Sequence, residues 1–163
     1  SNVRRLLELG WSGYLIEPSP RVIPSLLMNV AAFGDRAKVL KCAIGTNGDD
    51  EIEFFDNAGA LATTSKAHVQ KWSGVEEFSK PIRVKQLSPD ELLNTTNTDI
   101  DFINIDVEGA NIQLARSFPW HRLPGLTLIC IEHDGHQAEI KQILGEFGFS
   151  AIHENPENLI LSR

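Results

Sequence analysis

Three short apolar segments of the sequence end in side chains that can do chemistry. A carboxylate can accept a hydrogen bond from a hydroxyl group or take its proton, and a histidine between two acids is a candidate proton acceptor. A single acid at a strand end often does no more than cap the next helix. Capping alone does not explain three acidic ends, so we interpret them as parts of a ligand site. They are Glu17 in YLIEP, Asp106 and Glu108 in INIDVEG, and Glu132, His133 and Asp134 in ICIEHD.

The elements that would position these residues alternate along the chain. Apolar, β-branched runs are followed by helical patterns, which is typical of an α/β layer fold. In such a fold ligands bind outside the carboxyl ends of parallel strands, where these acids lie. A hairpin is predicted around 155–158, and Ser88 and Glu91 are predicted to cap a helix. Strands are predicted at 13–18, 37–44, 51–55, 81–86, 101–105 and 126–131, and helices at 3–9, 21–33, 88–93, 108–118 and 137–147.

Length and composition limit the classes of protein that the chain can belong to. Its 163 residues fit a single domain with its own core, so we predict one domain over 1–163. The sequence contains no run of about 18 apolar residues that could cross a membrane. Its net charge of −7 argues against a nucleic-acid partner. Cys42 and Cys130 lie in apolar runs, as buried thiols do in a reducing compartment, so we expect a cytoplasmic protein.

Five stretches of the sequence resemble, in the same order, the FkbM-type methyltransferases. They are LGWSGYLIEPSP, AIGTNGDDEIEFF, TTSK, IDFINIDVEGAN and HENPENLILS, and they span almost the whole chain. The resemblance implies a class I, Rossmann-like fold: a doubly wound, mostly parallel sheet that ends in an antiparallel hairpin. It implies S-adenosylmethionine as the cofactor. The implied reaction is methylation of a hydroxyl group on a sugar, a polyketide or a similar small acceptor.

The resemblance also assigns a set of cofactor-binding residues. Glu17 would accept the two ribose hydroxyls, a use of strand-end acids that nicotinamide and adenosylmethionine folds share. Ala43 and Ile44 would lie against the adenine ring, and Asp106 would end its strand beside the methyl-transfer point. The full set is Glu17, Pro18, Ser19, Ala43, Ile44 and Asp106.

The predicted catalytic residues are Asp106, Glu108 and His133. We expect in-line attack of an acceptor oxygen on the sulfonium methyl group, and a hydroxyl acceptor then needs a base. A wider set of neighbouring side chains could also hold magnesium, manganese or calcium, namely Asp106, Glu108, Glu132, His133, Asp134 and His136. No zinc-like Cys/His spacing is present, and we assign no metal ligands. The acceptor, a small or carbohydrate-like molecule, is expected to contact the irregular segment 56–80, which contains His68 and Trp72.

The sequence lacks one part of the family pattern. Family members begin with a strand and a D-x-G-x-x-x-G turn, and neither is present. We therefore expect the first strand to be absent and the domain to be truncated at its N-terminus. The alternative function is a non-catalytic remnant of the fold that acts as a binding or assembly module. A nicotinamide-dependent oxidoreductase fits less well, because nothing resembles its hydride-transfer residues. A homodimer is kept open as the oligomeric state.

Overall fold

The computed structural model describes residues 3–46, 48–57, 62–66, 69–70, 80–96 and 99–163. The chain divides into two compact units, Ser1–Leu87 and Ser88–Arg163. Both units contain helices and strands, so the predicted α/β class is confirmed. Among the described helices, none has the length and apolar content needed to cross a membrane. Much of the predicted irregular segment, including His68 and Trp72, lies outside the described residues.

The first unit builds two small sheets beside its helices. Strands β1 and β2 pair in parallel, whereas the second sheet has the order β3-β5-β4, with β5 parallel to β3 and antiparallel to β4. The strands are β1 (Gly13–Ile16), β2 (Ala37–Leu40), β3 (Ala43–Ile44), β4 (Glu51–Phe54) and β5 (Ile82–Leu87). The helices are α1 (Arg4–Glu8) and α2 (Ile23–Val30), and α2 continues into the 3-10 helix Ala31–Arg36.

Arg36 ties the beginning of this unit together. The end of α1 leaves carbonyl groups without a helical partner, and such groups need hydrogen-bond donors. Arg36 Nη1 donates to the carbonyl oxygens of Leu7 at 2.8 Å and of Trp11 at 3.0 Å. The 3-10 helix therefore fixes the segment that leads from α1 into β1.

The predicted strand over 37–44 is wrong in one respect, because the structure breaks it into β2 and β3. The chain bends at Cys42, so that β2 pairs with β1 and β3 pairs with β5 in a different sheet. Cys42 is itself buried, and the apolar pattern therefore runs through the bend without a break. The predicted single, doubly wound parallel sheet is likewise not confirmed, since the described strands form three small sheets, two of which are mixed.

The second unit is built on one four-stranded sheet with the order β6-β7-β9-β8. Strands β6 and β7 are parallel, and β7, β9 and β8 follow in antiparallel pairs, which confirms the predicted C-terminal hairpin. Its strands are β6 (Phe102–Ile105), β7 (Leu128–Glu132), β8 (Ser150–Glu154) and β9 (Asn158–Ser162). Its helices are α3 (Pro89–Thr96), α4 (Asn111–Ser117) and α5 (Gln137–Gly145), with a 3-10 helix at Trp120–Arg122.

The start of α3 has the predicted cap. The backbone N–H of Glu91 donates to Ser88 Oγ at 3.2 Å, and the backbone N–H of Ser88 donates to Glu91 Oε2 at 2.7 Å. These reciprocal bonds satisfy two of the donors that a helix start leaves open.

The core of the second unit surrounds β7. Side chains of this strand alternate between buried and half-buried, as expected where one face of a strand packs against helices. Each apolar side chain that is fully buried contributes about 1.5–3 kcal/mol. This packing holds the carboxyl end of β7 in place for the site described below. The fully buried apolar residues in the described part of this unit are Ala115, Trp120, Leu126, Ile129, Ile131, Ile140, Leu144, Leu159 and Leu161.

Candidate functional site

The acidic residues of the second unit gather at one edge of its sheet. In the parallel pair β6–β7, Ile103 lies opposite Ile129 and Ile105 lies opposite Ile131. The carboxyl ends of parallel neighbours meet at the same edge, so the acids that follow these pairs come together. They are Asp106, Glu108, Glu132 and Asp134.

The two turns that carry these acids share a sequence pattern and a backbone course. INIDVEG and ICIEHDG each place an acid after Ile-x-Ile, a second acid two residues later and then a glycine. The backbone of the second acid in each turn is in the left-handed conformation, with φ of 36° at Glu108 and 48° at Asp134. The glycines that follow, Gly109 and Gly135, both have φ of 83°. Left-handed backbone costs a non-glycine residue about 1–2 kcal/mol, so the surrounding contacts hold both turns in this shape.

Asn111 joins the two turns. Its side chain is fully buried at the start of α4. Its Oδ1 accepts the backbone N–H of Val107 at 2.9 Å, and its Nδ2 donates to Glu132 Oε2 at 3.0 Å and to Asp134 Oδ2 at 2.8 Å. Asn111 was not among the predicted site residues, although the repeated Ile-x-Ile-acid-x-acid-Gly pattern could have indicated two matched turns that need a link.

Burial and mutual repulsion change the acidity of this edge. Burial raises the pKa of Glu108 to about 7, and the charges of Glu132, Asp106 and Asp134 add to the shift. Burial likewise raises the pKa of Glu132 to about 7, with the charges of Asp106 and Asp134 acting in the same direction and the Asn111 amide opposing them. A hydrogen bond between Glu132 and Asp106 also favours the protonated form. The edge can therefore hold or release a proton near neutral pH.

Three of these acids have the spacing of a cation site. Asp106, Glu108 and Glu132 each offer a carboxylate oxygen, and these oxygens lie within 4.8 Å of one another. Oxygen ligands of this kind suit magnesium, manganese or calcium. These three acids are among the side chains that the sequence indicated as possible ligands of a divalent ion, and the structure adds the distance between their oxygens.

His133 lies beside this edge but faces the hairpin. It is 4% exposed, and its Nδ1 accepts the backbone N–H of Gly135 at 3.1 Å. Its Nε2 lies 3.1 Å from the carbonyl oxygen of Asn155, an arrangement that requires the proton on Nε2. Because backbone groups occupy both ring nitrogens, the geometry favours a structural role for His133. Its catalytic role stays a prediction.

The predicted ribose-binding acid lies in the first unit, directly after β1. The backbone N–H of Glu17 donates to the carbonyl oxygen of Leu40 at 3.0 Å, which extends the β1–β2 pairing. Its Oε1 accepts the backbone N–H of Ser19 at 2.8 Å. Burial raises the pKa of Glu17, the Ser19 N–H opposes this, and the charge of Asp56 adds to it. Pro18 between them is half-buried.

The other predicted cofactor residues are less open to a ligand. Ala43 packs in the buried core of the first unit with Phe54 and Val84, and Ile44 is half-buried. Ser19 is fully buried. Their contacts with adenosine stay predictions. Five of the predicted cofactor residues thus lie in the first unit, whereas Asp106 and the other predicted catalytic residues lie in the second.

A comparison of the sequence with models of protein families shows the family to which a chain with these residues belongs. The family model for the methyltransferase FkbM domain matches residues 1–150. The chain belongs to the FkbM methyltransferase family. The match includes Glu17 and both acidic turns of this FkbM domain, and it confirms the family to which the sequence motifs point. Comparisons with curated proteins and with solved structures give no match.

The raised pKa values make the stability of this FkbM domain depend on pH. Glu108 and Glu132 bind protons more tightly in the folded state, where their pKa is about 7, than at the ordinary value of 4.5. The contribution of these two glutamates to the free energy of unfolding is therefore complete below pH 4.5 and is lost as the pH rises to about 7. We expect Glu132→Gln to raise the melting temperature at about pH 8 and to flatten its dependence on pH.

The control for this experiment is Glu146→Gln, which changes an exposed glutamate at the end of α5. Thermal unfolding is followed by circular dichroism at about pH 5.5 and about pH 8 at constant ionic strength. Parallel curves for the wild type and Glu132→Gln would contradict the assignment of this pH dependence to the acidic edge.

Proposed function

We propose that this FkbM domain is an S-adenosylmethionine-dependent methyltransferase that acts on a hydroxyl group of a sugar, a polyketide or a similar small acceptor. The family match supports methyl transfer. The observation that carries the hydroxyl acceptor is the acidic edge, where Glu108 and Glu132 have pKa values of about 7. A base of that pKa is well matched to a hydroxyl proton at neutral pH, because it is available in the ionised form and still binds protons well.

The Glu17 loop, which comprises residues 17–19 directly after β1, would bind the ribose of the cofactor. Its carboxylate is half-buried, and Ser19 holds Oε1. Among the described residues no group donates to Oε2, which leaves that oxygen to accept hydroxyls. Pro18, Ala43 and Ile44 would then border the adenosine.

The acidic edge would serve the methyl acceptor. S-adenosylmethionine supplies a methyl group on a positively charged sulfur. In our proposal Glu108 takes the proton of the acceptor hydroxyl, since its left-handed backbone and Gly109 place it at the sheet edge. Asp106 would lie beside the methyl-transfer point, where its negative charge would favour binding of the positively charged sulfonium. His133 holds the second turn against the hairpin through its backbone contacts.

Binding of adenosylhomocysteine tests the cofactor part of the proposal. We expect measurable binding by calorimetry and, for Glu17→Gln, an affinity lower by about 10-fold or more, since the variant replaces charged hydrogen bonds to the ribose by neutral ones. Glu53→Gln is the control, because Glu53 belongs to the same unit and forms an exposed ion pair with Lys66 at 2.7 Å. Absence of binding by the wild type would contradict the proposal and favour the non-catalytic binding or assembly module.

Methyl transfer itself tests the role of Glu108. We expect label from methyl-tritiated adenosylmethionine to pass to members of a panel of sugars and hydroxylated polyketides, with a rate that rises with pH to a plateau above about 7. Glu108→Gln is expected to lower this rate about 10²–10⁴-fold, the usual contribution of a general base.

Glu139→Gln is the matched control, because Glu139 lies in the same unit and its carboxylate pairs with Arg116. A Glu108→Gln rate equal to that of the wild type would exclude Glu108 as the base. Transfer that is restricted to nitrogen or carbon acceptors would exclude hydroxyl methylation.

A further inference from the structure

Asp56 is a buried acid that belongs to neither predicted set of site residues. It follows β4 in the first unit and is only 1% exposed. A buried carboxylate is costly unless hydrogen-bond donors surround it. One donor is Ser19, whose hydroxyl group donates to Asp56 Oδ2 at 2.8 Å. Asp56 therefore contacts the loop that follows β1, although 37 residues separate it from Ser19.

Ser19 transmits this contact to two neighbours. Its backbone N–H donates to Glu17 Oε1 at 2.8 Å, which orients the carboxylate. Its Oγ accepts the backbone N–H groups of Arg21 and Val22, both at 3.2 Å, and so holds the turn that leads into α2. Ser19 is completely buried, so water does not compete with these hydrogen bonds. A hydroxyl that is anchored by Asp56 thus sets the position of the whole Glu17 loop.

We propose that Asp56 is a positioning residue for cofactor binding, which acts through Ser19 to aim the carboxylate of Glu17 at the ribose hydroxyls. The inference rests on the proposed function, because it requires that Glu17 accepts these hydroxyls. Asp56 does not touch the cofactor in this account. It fixes the loop that does, in the way that residues behind a binding group commonly set its orientation.

The charge of Asp56 gives this role a measurable signature. Burial is the larger cause of the raised pKa of Glu17. Among the described residues, Asp56 is the charged group that raises this pKa further. Ribose hydroxyls are best accepted by the ionised carboxylate, so affinity falls as the pH drops through the pKa of Glu17. Removal of the Asp56 charge lowers this pKa, and the loss of affinity should then move to lower pH.

The test measures the affinity for adenosylhomocysteine by calorimetry between about pH 5 and about pH 8. Asp56→Asn keeps an oxygen that can accept the Ser19 hydroxyl. We expect its affinity at neutral pH to stay within about threefold of the wild type, while the acidic loss of affinity moves to lower pH. Ser19→Ala removes the link and should weaken binding about tenfold. The double variant should bind no more weakly than Ser19→Ala, because both changes act on the same contact.

Each outcome of this test decides one point. If Glu17→Gln weakens binding while Ser19→Ala and Asp56→Asn leave both the affinity and its pH profile unchanged, the inference is overturned and the proposed function stands. If the variants lower only the melting temperature, Asp56 is a structural residue and the inference is again overturned. If the wild type does not bind adenosylhomocysteine, the proposed function itself fails. Glu53→Gln serves as the control throughout.

Discussion

The side-chain amide of Asn111 is the contact on which the acidic edge of the second unit depends. Parallel pairing of β6 and β7 forces four carboxylates to one place, and without donors their repulsion would separate the two turns. The amide donates to one acid in the strand end and to another in the turn that follows, and it accepts a backbone N–H from the opposite turn. Because the amide is fully buried, these three bonds have little competition from water.

The core of the second unit offsets what this edge costs. Left-handed backbone at two acids, neighbouring like charges and half-buried carboxylates all lower the free energy of unfolding. Such strain persists only where the surrounding structure enforces it. The apolar side chains of β7 and β9 and of α5 provide that surrounding structure. The same arrangement raises the pKa values on which the proposed proton transfer depends. In that proposal stability and function are opposed at the same residues, as they commonly are in active sites.

The sequence predicts the order and type of most elements because each has a local signal. The cap of α3, the terminal hairpin and the strands that end at Glu17, Asp106 and Glu132 follow from hydrophobic period and turn residues. The break at Cys42 has no such signal, because a buried bend keeps the apolar pattern while the chain changes its partner strand. Which strands share a sheet is decided by tertiary packing.

The acids of the candidate site could be predicted from the sequence, but the groups that hold them in position could not. Acid types and strand ends can be read along the chain, and the family motif adds their roles. Most of the holding contacts join residues that are 21 or more positions apart, as for Asn111, Asp56 and the Asn155 partner of His133. Only the bonds from the Gly135 and Val107 amides are local. His133 illustrates the difference. Its acidic neighbours suggested a base, but its ring lies against the backbone of a distant turn.

The most direct test of this account is a carbon-13 NMR titration of the glutamate side-chain carboxyls, with Glu108 and Glu132 assigned by their glutamine variants. The account predicts that Glu108 and Glu132 both titrate near pH 7. Titration of both glutamates at the ordinary value of 4.5 would contradict it, because the edge would then be fully ionised and could not exchange a proton at neutral pH.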